Sequence, residues 1–313
     1  MLACVPVAGR PPRVDAALTN DTAASWVLSH RGEIEELLLR HGCLVVSGLG
    51  VSSAADLAKV RSGLGHVPVR SREPFAPRQD FGDGVYSWPE WSAAREMCMH
   101  HEQGYATDYP GLLLMACVRG PAEGGALLLA DTRRFLTLLP ERLAKRLAAE
   151  GWLLRRNFLP RLGLGWREAL DVRYPSEVAG VCAERDIEFE WLDSETLRLW
   201  QRRAAIVTHQ VTGEKCAFSD LLFMSQWSIA KPERDLLIHA FGADGLPFNS
   251  YYGSGEELAE EDYWVLVRAY QQVTVEVNWQ QGDVLIIDNV MTAHGREPYV
   301  GAWDIPTALC DRR

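Results

Sequence analysis

Apolar residues recur at helical spacing between Thr22 and Arg40, and this segment is followed by a His-Gly pair. Helical spacing of apolar residues that ends at a glycine predicts a helix. The run CLVVSGL, which starts at Cys43, predicts a short strand, and SSAADLAKVRSGLG at 52–65 predicts a second helix opened by serine and closed by glycine. The next stretch, 68–91, is rich in proline, glycine and charge. It predicts a long loop, and loops of this length commonly carry function.

From Met97 onward the pattern changes to short apolar runs separated by turn sequences. The runs are MCMHHE, LLLMACV and ALLLAD, and the separators are DYPG and GPAEGG. This spacing predicts consecutive strands. A helix is predicted next from Thr132 to Glu150, with Asp131 as its N-cap and Pro140 as a point of kinking or breakage.

The second half of the chain contains further predicted strands and helices. The predicted strands are WLLRRNF, IEFEWLD, TLRLWQR, AAIVTHQ, VTVEVNW and VLIIDN, and the predicted helices are PSEVAGVCAERD and KPERDLLIHAFG. A long helix is predicted from Ser254 to about Gln271, with Glu257 completing a capping box. Strands and helices do not alternate regularly, and no G-x-G-x-x-G follows a strand, which argues against a parallel nucleotide-binding sheet.

These elements predict a mixed α+β fold with a double-stranded β-helix, or jelly-roll, core and flanking helices. We expect one large domain over residues 1–313, in which 1–95 form an N-terminal elaboration of helices and loops.

Composition narrows the classes of function. The chain of 313 residues is 47% hydrophobic and carries a net charge of −10, which argues against a nucleic-acid partner. No uncharged apolar run reaches the roughly 18 residues of a membrane helix, and no signal peptide is evident at the N-terminus. The seven cysteines form no C-x-x-C pair, so we expect free thiols, a reducing compartment and a cytoplasmic location.

The candidate chemistry centres on the sequence MHHEQGY. Alternate residues of a strand share a face, so His100 and Glu102 are expected to project together while His101 points to the outer face. The sequence GDVLIIDNVMTAHGREPYVG places His294 after a buried strand near the end of the chain. Two histidines and one carboxylate form the facial set of ligands used by non-haem Fe(II) oxygenases, which leaves metal positions open for O2 and an organic reactant.

Four motifs, in order, resemble those of the TauD/TfdA family of Fe(II)/2-oxoglutarate dioxygenases, and most closely its SyrP-like and clavaminate-synthase-like branch. They are HHEQGY, GGALLLAD, TGEKCAFS and GDVLIIDNVMTAHGREPYVG. The segment RHGCLVVSGLG extends the likeness to nearly the whole chain.

This resemblance implies that His100, Glu102 and His294 bind Fe(II) and that O2 is a co-substrate. Tyr105 matches a family tyrosine near the active site, and a core aromatic residue with a satisfied hydroxyl group is the equal alternative. Ser219 stands where the family motif has asparagine, and it is a candidate substrate contact. The implied substrate is a small amino acid or derivative of natural-product biosynthesis, free or held on a carrier protein, and hydroxylation is the default outcome.

The sequence departs from the family where 2-oxoglutarate should bind. Leu127 replaces a threonine, and Trp303 replaces the arginine that pairs with the distal carboxylate. No Lys or Arg occurs from 297 to 311. Three alternatives stay open: another arginine serves, with Arg296 and Arg312 the nearest; the enzyme does not use 2-oxoglutarate and takes its electrons from the substrate; or the protein binds a metabolite without catalysis. We predict that any 2-oxoglutarate is bound more weakly than is usual for the family.

The loop at 68–91 directly precedes the first predicted ligand strand. We expect it to cover the active site as a lid. Three arginines of this loop, Arg70, Arg72 and Arg78, are available to meet an acidic group of the substrate. We take Arg72 as the candidate substrate contact. The alternative is an ordinary solvated, charged loop.

Overall fold

The computed structural model describes residues 2–4, 8–19, 21–160 and 162–313. The helices are α1 (Ala23–Ser29), α2 (Arg31–His41), α3 (Ala54–Leu64), α4 (Thr132–Leu138), α5 (Glu141–Glu150), α6 (Trp166–Leu170), α7 (Pro175–Glu184), α8 (Lys231–Phe241) and α9 (Glu260–Val273). The strands of the first half are β1 (Arg13–Asp15), β2 (Cys43–Ser47), β3 (Asp80–Gly82), β4 (Val85–Tyr86), β5 (Met97–His100), β6 (Pro110–Ala116), β7 (Glu123–Gly124), β8 (Leu127–Asp131) and β9 (Trp152–Phe158). The remaining strands are β10 (Glu188–Trp191), β11 (Leu197–Arg203), β12 (Ile206–Thr208), β13 (Lys215–Ala217), β14 (Phe248–Tyr252), β15 (Thr274–Val277), β16 (Val284–Asp288), β17 (Thr292–Arg296), β18 (Tyr299–Val300) and β19 (Thr307–Arg312).

Two sheets pack face to face around an apolar interior. The larger sheet has the strand order β1-β2-β16-β6-β19-β4-β3, and the smaller has the order β15-β8-β17-β5. Leu113 and Leu285 of the larger sheet meet Leu129 and Val277 of the smaller one in a single buried cluster. Strands distant in sequence are neighbours in both sheets, which gives the predicted mixed α+β jelly roll.

Helices cover the outer face of each sheet because both faces are apolar. Val27, Ile34 and Leu57 of α1–α3 pack on the larger sheet. Phe135 of α4 stacks on Tyr270 of α9 over the smaller sheet, with ring centroids 3.9 Å apart. A third sheet, of order β10-β11-β9-β14, packs against α6 and α7 and forms a separate apolar cluster.

Most of the predicted elements are present, but several boundaries differ. The segment from Thr22 to Arg40 forms two helices, α1 and α2, that meet at His30. The predicted break at Pro140 separates α4 from α5. The seven cysteines are free thiols. Within the described residues, none of the helices has the length and apolar character needed to cross a bilayer.

The predicted start of the long helix at Ser254 is wrong, because α9 begins only at Glu260. Gly255 has a φ of +92°, a left-handed conformation that interrupts helix formation. The side chain of Glu257 accepts a hydrogen bond from Gln226 and is therefore not available for the predicted capping box.

Candidate active site

His100 and His294 lie side by side on neighbouring strands of the smaller sheet. They are a cross-strand pair of β5 and β17, and their ring centroids are 4.3 Å apart. His294 is also paired with Leu129, whose side chain is in the interior cluster, so the two imidazoles face the inside of the jelly roll. Both histidines are buried.

Both imidazoles are held in the form that binds metals. Burial lowers the pKa of His100 and of His294, which favours neutral rings. Nδ1 of His100 lies 2.9 Å from the carbonyl oxygen of Cys98. Because a carbonyl only accepts, Nδ1 carries the proton and Nε2 keeps a lone pair for a ligand. Nδ1 of His294 is buried and has no partner among the described residues.

Glu102 lies just beyond β5, because the strand ends at His100. Strand alternation therefore does not fix its direction, contrary to the sequence argument. A turn does so: Gln103 has a φ of +58°, and the peptide of Glu102 is held on both sides by Asn289. The N–H of Glu102 donates to Oδ1 of Asn289 at 2.9 Å, and Nδ2 of Asn289 donates to the carbonyl oxygens of Glu102 at 2.9 Å and Pro110 at 2.8 Å.

Asp220 supports the same turn from the opposite side. Its carboxylate accepts the N–H of His101 at 2.8 Å and also the N–H of Gly104. A Cβ at Gly104 would lie 3.1 Å from Oδ2 of Asp220, so only glycine fits without displacing the carboxylate. Burial raises the pKa of Asp220 to about 8.

Sequence reasoning did not identify Asn289 or Asp220. The signal for Asn289 is the Asp-Asn pair that closes the motif GDVLIIDN, and Asp220 directly follows the motif TGEKCAFS. Asp288 holds the next turn, because its Oδ1 accepts the N–H groups of Val290 at 3.0 Å and Met291 at 3.1 Å. These polar residues work through the backbone, so their residue types alone do not point to the metal ligands.

His101 points away from the other two histidines, but it is not on an exposed outer face. It is buried, its ring lies 4.6 Å from the ring of Phe218, and its Nδ1 lies 3.4 Å from the carbonyl oxygen of Ser219. Burial lowers the pKa of His101 to about 3. Ser219, the candidate substrate contact, thus meets His101 through its backbone.

Glu102 forms a buried ion pair with Arg78. Nη2 of Arg78 lies 2.8 Å from Oε2 of Glu102, and each side chain is only 6% exposed. Nη1 of Arg78 is buried and has no partner among the described residues. Arg78 contributes to the lowered pKa of both His100 and His294, which places its charge close to the pair of imidazoles.

The donor set fits a divalent ion such as Fe(II) in its chemistry: two neutral imidazoles and a carboxylate. In the described part of the chain, no three side chains of His, Cys, Asp or Glu are already arranged around one point. Glu102 is directed to Arg78, and that salt bridge engages one of its two carboxylate oxygens. The assignment of Glu102 as the third ligand therefore stays a prediction.

The loop at 68–91 lies over these residues. The ring of Phe75 is 6.1 Å from that of His100, and the ring of Trp88 is 6.3 Å from that of His294, both edge to face. Tyr105 anchors this loop, because its hydroxyl group donates to the carbonyl oxygen of Glu73 at 2.6 Å. This contact supports the alternative in which Tyr105 is a core residue with a satisfied hydroxyl group.

The three arginines of the loop have different surroundings. Arg70 forms an exposed ion pair with Asp171 at 2.9 Å, and Arg72 pairs with Asp108 at 3.3 Å. Arg78 alone among the three reaches Glu102. The candidate contact Arg72 is therefore engaged elsewhere, and the arginine at the active site is Arg78.

Leu127 and Trp303, which the resemblance aligns with 2-oxoglutarate contacts, lie in apolar and aromatic surroundings. Leu127 is fully buried in the interior cluster. The ring of Trp303 lies 5.8 Å from that of Trp88, which in turn contacts His294. The indole N–H groups of Trp88 and Trp303 are buried and lack partners within the described residues.

Arg296 and Arg312, the expected replacement arginines, are already engaged. The guanidinium of Arg296 donates to the carbonyl oxygens of Glu297 at 2.9 Å, Ser92 at 3.1 Å and Arg95 at 3.2 Å. Arg312 is 41% exposed and pairs with Asp108 at 2.9 Å. Both terminal nitrogens of Arg296 are therefore engaged and only its buried Nε lacks a partner among the described residues.

A groove of about 1250 Å³ lies on the outer side of the smaller sheet, between α8 and α9. Its lining includes Trp91, Cys98, Leu222 and Tyr263. Trp91 lies 5.4 Å from Phe223, whose ring stacks on His100 at 4.6 Å. One layer of aromatic side chains therefore separates this groove from the pair of histidines.

The jelly roll and its paired histidines define a dioxygenase-type oxidoreductase, and sequence comparison supports this class. The chain belongs to the taurine catabolism dioxygenase TauD, TfdA family, whose model matches residues 10–305. The dapdiamide synthesis protein DdaC of Enterobacter agglomerans is 30% identical over 308 residues, which span 98% of this chain and 93% of DdaC.

Solved structures share the fold. A taurine dioxygenase from Burkholderia xenovorans has a TM-score of 0.56 and 13% identity, and the match covers 99% of this chain and 89% of that one. PvcB, described as an Fe, alpha-ketoglutarate dependent oxygenase from an isonitrile synthetic pathway, has a TM-score of 0.55 and 14% identity, covering 96% and 85%. The predicted family, the jelly-roll fold and the enzyme class are thereby confirmed. Iron, O2 and 2-oxoglutarate are the cofactor and co-substrates that accord with this family.

Proposed function

We propose that the protein is an Fe(II)-dependent dioxygenase that oxidises a small amino-acid-like metabolite in natural-product biosynthesis. The observation that carries the proposal is the in-register pair of buried, neutral imidazoles, His100 and His294, with Glu102 on a clamped turn two residues beyond. His100, Glu102 and His294 would hold the metal. Bound Fe(II) supplies the activation of O2.

The residues around the ligands have separate roles in this proposal. Asn289 and Asp220 hold the backbone turn that carries Glu102, so only the side chain of Glu102 would have to turn from Arg78 toward the metal. Phe75 and Trp88 cover the two histidines and exclude water from their inner face. The covering loop at 68–91 would act as a lid.

The class of substrate rests on the relative DdaC, which is named for dapdiamide synthesis, and on the groove beside the aromatic layer. The groove has a volume of about 1250 Å³, which exceeds the usual range for small-ligand sites. It is therefore large enough for a free amino acid derivative or for one attached to the tether of a carrier protein. We further propose that residues 1–313 act as one oxygenase domain in a reducing, cytoplasmic setting, in keeping with the free thiols.

The co-substrate site is altered in this proposal. 2-Oxoglutarate is the co-substrate expected for the family, and Leu127 and Trp303 remove its usual supports. The second candidate is a 2-oxoglutarate-independent oxidation in which the substrate itself supplies the electrons. Trp303 packs on Trp88, which contacts His294. This packing favours the second candidate because the two indoles place apolar surface beside the proposed metal ligand His294.

The test combines metal binding with oxygen consumption. The anaerobic protein should bind Fe(II), His294→Ala should abolish binding, and His101→Asn should leave it largely intact because His101 faces Phe218. The loaded protein should then consume O2 with one or more amino acids, in the presence or absence of 2-oxoglutarate according to the candidate. Equal Fe(II) binding by wild type and His294→Ala would refute the metal site, and tight Fe(II) binding without O2 consumption would favour a non-catalytic binding protein.

A further inference from the structure

We propose that Arg78 is the carboxylate-binding cation of the active site. In this role it takes the place of the family arginine that Trp303 replaces. The inference rests on the proposed function, since it concerns the organic reactant of the same site. The ligand is identified by its chemistry, a small carboxylate. Its two possible sources are a dicarboxylic keto acid such as 2-oxoglutarate and the amino acid substrate itself.

The first support is the unfinished hydrogen bonding of Arg78. A guanidinium has five N–H donors in a rigid fork. Nη2 donates to Glu102 at 2.8 Å, while Nη1 is buried and has no partner among the residues described. A buried charged donor without an acceptor is unfavourable. A ligand that brings an acceptor to Nη1 would therefore be stabilised. Planar forks of this kind match carboxylates in two-point contacts.

The second support is elimination among the nearby cations. Arg296 spends its two terminal nitrogens on three backbone carbonyl groups, and Arg312 pairs with Asp108 near the surface. Residues 297–311 contain no Lys or Arg. Arg296 keeps only its Nε unpaired, whereas Arg78 pairs with the predicted ligand Glu102 and also keeps a terminal nitrogen, Nη1, without a partner in the described chain.

The third support is the balance of charge. Glu102 and Arg78 form a neutral pair, so a divalent metal ion would leave the site with two positive charges. A dianion such as 2-oxoglutarate cancels them, whereas a site without Arg78 would be balanced by a monoanion. Uncompensated buried charge is strongly unfavourable, so the charge balance favours a dianionic ligand over a monoanionic one. The indole N–H groups of Trp88 and Trp303 add two unpaired donors to this side of the site.

The experiment measures binding, not turnover. The protein is loaded with Mn(II), which avoids oxidation, and is titrated by calorimetry with 2-oxoglutarate, with pyruvate and with a panel of L-amino acids. Pyruvate keeps the keto-acid group but lacks the distal carboxylate. The variants are Arg78→Gln and Arg78→Lys, and the control is Arg70→Gln, which removes an exposed arginine of the same loop. Affinity for Mn(II) is measured first for every protein.

If Arg78 holds the distal carboxylate, Arg78→Gln weakens 2-oxoglutarate binding about 100-fold and leaves pyruvate binding unchanged. Arg78→Lys keeps the positive charge but loses the planar guanidinium, so it weakens 2-oxoglutarate binding about tenfold. If Arg78 holds the carboxylate of the substrate, the amino acid titration shows the loss and 2-oxoglutarate does not. Arg70→Gln behaves as wild type in both cases.

Other outcomes overturn the inference. Unchanged affinity for every carboxylate in Arg78→Gln, with a change only in Mn(II) affinity, would make Arg78 a positioning residue for Glu102 and nothing more. Failure of the Mn(II)-loaded wild type to bind any of these carboxylates would also overturn it. Failure of the wild type to bind a divalent metal at all would overturn the proposed function itself, so the two failures are distinguishable. If Arg78→Gln does not fold, Arg78→Lys alone decides the matter.

Discussion

Two regions of the active site differ in how fully their polar groups are satisfied. The metal end consists of His100, Glu102 and His294 with their supports Asn289 and Asp220. There the peptide of Glu102 is hydrogen bonded on both sides, and the turn is held by a carboxylate. The carboxylate end consists of Arg78, Trp88, Leu127, Arg296 and Trp303. There two indole N–H groups and two guanidinium nitrogens, Nη1 of Arg78 and Nε of Arg296, are buried without partners in the described chain.

The difference lies in the backbone groups, because Nδ1 of His294 also lacks a partner at the proposed metal end. There the protein's own residues fix the turn that carries Glu102, so the change expected on metal binding is confined to the Glu102 side chain, which now pairs with Arg78. At the carboxylate end, the unpaired donors leave free energy to be gained when an anion binds. By the family resemblance, the motifs are retained at the proposed metal end and altered at the proposed carboxylate end, so the proposal separates the chemistry with O2 from the choice of organic reactant.

The largest effect is expected from Asn289→Ala. The change removes three hydrogen bonds to buried backbone groups of Glu102 and Pro110. Each of the three groups left without a partner costs about 1–3 kcal/mol, so the free energy of unfolding should fall by about 3–9 kcal/mol. Urea denaturation of the metal-free protein measures it. Asn278→Ala, which removes an exposed contact with Arg10, is the control and should change stability by less than about 1 kcal/mol. A similar small loss in both variants would mean that the metal end is not clamped.

Acid should destabilise the metal end selectively. The pKa of each of His100, His101 and His294 is lower in the folded protein than the roughly 6.5 of an unfolded histidine. Their neutral forms therefore stabilise the fold fully above about pH 6.5, and this contribution is lost as the pH falls below that value. Each histidine that stays neutral in the fold costs up to about 1.4 kcal/mol per pH unit below pH 6.5, and the raised pKa of Asp220 acts in the opposite direction.

The measurement is the free energy of unfolding of the metal-free protein at pH 6.5 and 5.5. His101→Asn removes one of the three titrating groups, so its loss over this interval should be smaller than that of wild type by about 1 kcal/mol, because half of the unfolded histidine is already protonated at pH 6.5. Parallel curves for the two proteins would show that His101 is not held neutral by burial.

Much of this fold follows from local patterns, because helix periods, caps and strand alternation are local. Thr22, Ser53 and Asp131 each cap the helix that their position in the sequence predicts. The exception is the start of α9, where Ser254 and Glu257 have the residue types of a capping box. There Glu257 bonds to Gln226 instead, a contact that cannot be seen from the local sequence.

The candidate site is predictable to a smaller extent. The pairing of His100 with His294 could be inferred, since both residues adjoin strands and match motifs. The supports could not: Asn289 and Asp220 reach Glu102 and His101 across more than 100 residues of chain, through backbone groups that every residue possesses. Arg78 is one of three loop arginines with similar sequence surroundings, and only the anchoring of its loop distinguishes it.

A smaller effect is expected from Asp220→Asn at alkaline pH. Burial raises the pKa of Asp220 to about 8, above the roughly 3.9 of an unfolded aspartate. The protonated form is therefore the one that the fold favours, and its contribution is lost as the pH rises toward 8. Between pH 6.5 and 8 this costs wild type about 2 kcal/mol, and Asp220→Asn should lack that slope. Asp193→Asn, at an exposed turn, should keep the wild-type slope. A slope shared by all three proteins would place the alkaline loss elsewhere.

The smallest expected effect tests the carboxylate end directly. Trp303→Arg returns a guanidinium to the position where the family resemblance has one, at the cost of ring contacts with Trp88 and Tyr299. We expect 2-oxoglutarate to bind the Mn(II)-loaded variant about tenfold more tightly, because a charged fork is worth more than one indole N–H group. Phe81→Arg, which adds the same charge at an exposed position, should have no effect. The decisive arm is the double variant with Arg78→Gln: if Trp303→Arg restores binding that Arg78→Gln has lost, the two positions serve the same carboxylate, and if it does not, Arg78 and Trp303 face different parts of the ligand.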